Sequence, residues 1–147
     1  KTAYSSGMIF TGIPSTVTQM IFLFDEVTNS SSDIRIQLGT SSAFTSSGYS
    51  GHNSYFGNGQ SSSDYTDGIH VYAAGHTESG VIKLYRTATN GPTWYWAGAL
   101  TMDGVSAKYH NVVSGRVETG ATYALNRVIL ENMSGTGDGG HVTLGYK

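Results

Sequence analysis

Asp33-Ile34-Arg35-Ile36-Gln37-Leu38 alternates polar and apolar residues without a break. That period of two sets one side of a β-strand on a core and the other in water. The same period returns at the end of the chain, where Val142, Leu144 and Tyr146 alternate with His141, Thr143 and Gly145. It recurs where Val128 and Leu130 alternate with Arg127, Ile129 and Glu131. No stretch carries the spacing of an amphipathic helix. Residues 16–24, with the run Met20-Ile21-Phe22-Leu23-Phe24, read as a strand covered on both faces. The polar residues 25–32 read as a hairpin connection to the strand at 33–38. Further strands are expected at residues 7–11, 69–72, 81–86, 93–102, 109–117 and 123–132. Gly12-Ile13-Pro14-Ser15, Asn90-Gly91-Pro92 and residues 134–140 supply the turns.

Composition agrees with this pattern. Of 147 residues, 19 are Ser, 17 Thr and 20 Gly, while charged residues make up only 12%. Ten Tyr, five Phe and two Trp give the chain ample surface to bury, so it is not a disordered composition. The expected fold is all-β: one domain over residues 1–147, an antiparallel two-sheet β-sandwich of jelly-roll type with eight to nine short strands. The chain opens on Lys1 rather than Met, and reads as the C-terminal piece of something longer.

Several functions are disfavoured at once. The formal net charge is −2 and the eight basic residues are scattered singly, so no stripe exists to neutralise a nucleic-acid backbone. The longest apolar run is far too short for a membrane helix. Without Cys there is no disulfide staple and no thiolate metal site. The five histidines show no ligand spacing, and His70 and His141 fall at outward strand positions, so neither metal nor cofactor is expected. Asp64 and Asp67 are the best local carboxylate pair for glycosidic chemistry, but Asp beside Gly68 is ordinary turn material. No G-x-S-x-G elbow marks a nucleophilic serine. Catalysis is not expected.

Binding is better supported. Residues 39–67 are too long for a simple turn, and within them His52, Asn53, Tyr55, Asp64, Tyr65 and Asp67 interleave rings with hydrogen-bonding side chains. Sugar rings stack on aromatic faces, while amides, imidazoles and carboxylates take their hydroxyls. Trp94 and Trp96 share one face of a strand and Tyr95 takes the other, so one tryptophan is a further candidate platform. Core packing is the competing reading for each Trp, and an oligomer contact the competing reading for the loop.

The chain also resembles a known family. Phe10-Thr11-Gly12-Ile13-Pro14-Ser15, Val17, Met20, Phe22, Phe24-Asp25 and Val27-Thr28 carry the resemblance. So do Ile34, Ile36-Gln37-Leu38-Gly39 and Thr45-Ser46-Ser47-Gly48-Tyr49. Leu125-Asn126-Arg127-Val128, Leu130 and the closing Gly145-Tyr146-Lys147 fit the same pattern. Together they are similar to a domain at the C-terminal ends of bacteriophage tail-fibre, tail-tip and host-specificity proteins. The likeness covers the first 50 and last 25 residues, and the middle matches only in strand rhythm. It implies a virion appendage outside the cell, a homotrimer, and binding to a host-surface glycan or outer-membrane receptor. A structural trimerising cap, or a carbohydrate-binding module of a secreted protein, are the alternatives.

Overall fold

The computed structural model describes residues 7–29, 33–40, 42–57, 59–73, 75–86, 92–103, 108–119, 125–132 and 137–147. Eleven strands run through them: β1 (Met8–Thr11), β2 (Gln19–Asn29), β3 (Ile34–Gly39), β4 (Tyr49–Gly57), β5 (Gly59–Tyr65), β6 (Ile69–Val71), β7 (His76–Arg86), β8 (Thr93–Asp103), β9 (Lys108–Glu118), β10 (Arg127–Asn132) and β11 (Gly137–Tyr146). A four-stranded sheet, β1-β10-β3-β6, faces a seven-stranded sheet, β11-β2-β7-β8-β9-β4-β5, and every pairing is antiparallel. The chain crosses back and forth between the sheets in jelly-roll fashion. Two additions lift the strand number above the expected eight or nine. The meander β7-β8-β9 stands where a plain jelly roll has one strand, and β11 is added outside β2.

Burial follows the alternation. Phe22, Phe24, Ile36, Leu38, Ile82, Leu84, Trp94, Leu100, Val113, Val128 and Val142 point between the sheets. Phe10 and Phe22 meet edge to face at 6.5 Å. Three expectations need correction. β2 is not covered on both sides: Ile21 and Leu23 are 40% and 47% exposed on its outer face. Residues 25–29 belong to β2 itself, and β2 and β3 lie in different sheets, so they form no hairpin. Gly137 to Gly140 belong to β11, not to a turn, while residues 90–91, 123–124 and 134–136 of the expected turns and strands lie outside the described residues.

A bulge in β2 sets up the far end of the sandwich. Its register with β7 shifts between Phe24 and Val27, and Glu26 takes a left-handed φ of 51° there. The backbone N–H of Glu26 donates to Ser79 Oγ at 3.0 Å. Past the bulge Val27 and Asn29 turn inward, opposite Glu78 and His76 of β7.

Candidate functional site

The larger sheet is three strands wider than the smaller one, and β6, at one edge of the small sheet, packs across β4 and β9. An edge strand leaves backbone groups unpaired by its own sheet, and burial makes that costly. Two amides from the facing sheet supply the missing partners. Asn53 Nδ2 donates to His70 O at 2.9 Å, and Asn111 Nδ2 donates to Tyr72 O at 3.0 Å. Both asparagines are buried. Asn53, expected to orient a ligand hydroxyl, therefore spends its donor on the fold.

Beside this seam lies a cleft of about 250 Å³, walled by Tyr55, Tyr65 and Tyr72, with Asp33, Asn53 and serines 61–63 at its rim and base. Tyr65 stacks on His70 at 3.8 Å, and its hydroxyl donates to Asp33 Oδ2 at 3.4 Å. Burial holds the Asp33 carboxyl above its ordinary range, despite the opposing pull of His70 and of the Tyr65 hydroxyl. Burial and the neighbouring Asp33 charge likewise raise the Tyr65 phenol. A second hollow of about 130 Å³ adjoins the first and shares Tyr55 and Tyr72 with it, completed by His76, Tyr109 and Met102.

The remaining expected residues lie elsewhere. On the outer face of the β4–β5 hairpin, His52 Nδ1 lies 2.8 Å from Asp64 Oδ1, and His52 Nε2 lies 2.8 Å from Ser54 Oγ. That is the atom order of a Ser-His-Asp relay, but the Asp64 side chain is 88% exposed. A carboxylate so open to water orients and stabilises an imidazole poorly, unlike the buried aspartate of a working triad. Asp67 is bound into the frame: it pairs with Arg35 Nη1 at 2.6 Å and with His70 Nε2 at 2.8 Å, and Arg35 also reaches Glu131. Burial alone would raise the Asp67 carboxyl, but its bonds to Arg35 and His70 outweigh that and hold it below its usual range. His70, expected outward, is buried as part of the same cluster.

Both tryptophans are core residues, 1% and 3% exposed, and neither is a stacking platform. Trp96 packs on Tyr49 and over Gly51 and Gly115, where an added Cβ would come within 2.7 and 2.4 Å of its ring. Trp94 carries the Arg86 guanidinium at 5.2 Å. Thus the expected set divides: Asn53, Tyr55 and Tyr65 meet at one cleft, and His52, Asp64, Asp67, Trp94 and Trp96 do not. The cleft adds Asp33 and Tyr72, and the adjoining hollow adds His76 and Tyr109, none of which the sequence marked. A larger hollow of about 350 Å³ lies apart, between residues 43–48 and Glu118 and Thr119, and includes none of the expected residues. Among the described residues no three His, Cys, Asp or Glu side chains gather as a metal site. Compared with family models, with curated proteins and with solved structures, the chain finds no match.

Proposed function

We propose that this domain is a non-catalytic adhesive module of a bacteriophage tail protein, displayed on the virion, that binds a host-surface glycan or outer-membrane receptor. One observation carries the binding reading: three half-buried tyrosines and a rim of hydroxyl and carboxyl groups converge on an open cleft. Aromatic walls with a few convergent polar groups are the usual make-up of a ligand site. Flat C–H faces of a sugar would stack on Tyr55, Tyr65 or Tyr72, and Asp33 and the serines would take its hydroxyls. The tail-protein assignment is supported by the resemblance of the two ends of the chain.

A structural cap is the second reading, favoured by the apolar residues left exposed on the outer face of the large sheet. Adsorption separates the two. Labelled domain is expected to bind host cells and to select glycans on an array. Tyr65→Ala should weaken that binding by about 1–3 kcal/mol, the value of one buried aromatic face, with melting temperature read in parallel. A folded domain that ignores cells and every arrayed glycan would leave only the cap. Labelling of Ser54 by a serine-directed phosphonate, or hydrolysis of host polysaccharide, would overturn the non-catalytic reading.

A further inference from the structure

Tyr55, Tyr72, His76 and Tyr109 close a circuit of rings around the smaller hollow. Tyr55 and Tyr72 stack at 4.8 Å, Tyr72 and His76 lie 6.2 Å apart, His76 and Tyr109 5.3 Å, and Tyr109 and Tyr55 6.3 Å. Met102 completes the lining, and all four rings are only half-buried, so the box opens to solvent. Its volume of about 130 Å³ holds several waters or one small organic group. Gly57 is shaped to this circuit, since a Cβ there would sit 1.8 Å from the Tyr109 ring.

Buried polar atoms in and next to the box lack partners among the described residues, His76 Nδ1 of the lining among them. Glu78 pairs with Met102 across the ladder and shares the inner face with His76, two residues away. It is fully buried, and among the described residues neither carboxyl oxygen has a hydrogen-bond partner. Asn111, beside Tyr55 in the ladder and two residues from Tyr109, has its Oδ1 buried and unpartnered. Asp33 stands across the seam, close enough for its charge to act on both Glu78 and Tyr72. Among the described residues no Lys or Arg lines either hollow.

We propose that the Tyr55–Tyr72–His76–Tyr109 box binds the primary ammonium group of an organic amine. Ring faces attract a cation, an ammonium brings three donors and no acceptor, and the unpartnered Asn111 Oδ1, the Glu78 carboxyl and His76 Nδ1 offer atoms that can accept them. The inference concerns the hollow next to the glycan cleft and does not depend on the virion reading. The amine could belong to an amino sugar or to an aliphatic chain. Titratable groups in and around the box are Tyr55, Tyr72, His76 and Tyr109 of its lining, Glu78 of β7 two residues from His76, Asp33 and Tyr65 of the adjoining cleft, and His70 stacked on Tyr65. Burial, with Asp33 adding, holds Glu78 protonated to about 9, so a bound cation favours release of its proton.

The probe is n-butylammonium, titrated into the intact domain by NMR against its neutral isostere n-butanol. Butylammonium is expected to bind at least about ten-fold more tightly. Its affinity should rise between about pH 7 and about pH 9, a range in which a primary amine stays largely charged. Tyr72→Leu, checked for folding by its melt, should abolish the preference. Glu78→Gln should keep the box and flatten the pH profile. Glucosamine binding tighter than butylammonium points to a sugar source, and weaker binding to an aliphatic one. Equal binding of butylammonium and butanol, no binding of either, or an unchanged preference in folded Tyr72→Leu overturns the proposal. A domain that adsorbs to cells yet ignores butylammonium loses this inference alone.

Discussion

Glu78 stands between Val27 and Met102 in the ladder, fully buried, with its carboxyl pushed up to about 9 by burial and by the charge of Asp33. In the unfolded chain the same group ionises near 4.5, so above that pH the native state binds the extra proton. Stability is therefore complete below about 4.5 and is lost as pH rises toward about 9. Asp33, also raised by burial, adds a smaller loss of the same sign. Asp67, held low, acts oppositely and only in acid. The domain should melt lower at about pH 8 than at about pH 5, with a limiting slope of about 1.4 kcal/mol per pH unit for one proton. Glu78→Gln should melt higher than the parent at the alkaline end and fall less steeply between the two. Parallel melting curves for the two proteins would remove Glu78 as the source. That Tyr55 and Tyr65 line a cleft is foreshadowed in the sequence, because they sit among amides and hydroxyls that no core would choose. The burial of Glu78 is not legible, since Thr77-Glu78-Ser79-Gly80 carries no apolar period and only its register against Met102 buries it. Asp33, Tyr72 and Tyr109 come from three distant segments that meet only through sheet topology.

The β4–β5 hairpin shows the same limit for an element. Residues 51–67 read as a loop because no apolar period runs through them, yet β4 alternates faithfully with Tyr49, Gly51, Asn53 and Tyr55 toward the small sheet. Its inward positions hold a glycine that receives Trp96 and an asparagine that caps β6, so hydropathy gives no signal. β3, β8 and β9 were legible nearly to their ends, while β10 begins at Arg127, later than the expected 123. β2 was legible as a strand but not in its one-sided exposure, because outward Ile21 and Leu23 look like core in sequence. Asn53→Leu should cost about 1–3 kcal/mol, the penalty of a buried carbonyl left without its donor. Urea unfolding measures it, and a change under about 0.5 kcal/mol would mean that the His70 carbonyl finds another partner. Gly57→Ala should act on the box more than on the fold. The Tyr109 ring must swing away from the new methyl, so butylammonium binding falls several-fold while melting moves little.

For the whole molecule, the open question is the outer face of the seven-stranded sheet. Ile21, Leu23, Tyr85 and Val112 are each exposed by 40% or more there. The ladder places Leu23, Val81, Ala99 and Val112 in one row across four adjacent strands, and Tyr85 stacks on Tyr95 in a parallel row at 5.7 Å. Lys83 and Arg116 are the cations among them, while Asp25, Asp64, Asp103 and Glu118 lie toward the ends and edge of the face. A row of exposed apolar side chains of this kind suits a surface that another chain could cover. A homotrimer, as the resemblance implies, would cover it with copies of itself. Sedimentation should then give about three times the 15.6 kDa of one chain. Replacing Leu23 and Val112 together by Lys puts two further cations into a row that self-association would bury, so mass should fall to that of one chain. Because both side chains already face water in the single domain, intrinsic stability should change by no more than about 0.5 kcal/mol per site. A parent that sediments as one chain at every concentration sinks the trimer on this face. A double variant that stays trimeric moves the interface elsewhere, and a variant that unfolds is answered by repeating the test with Leu23→Ser alone.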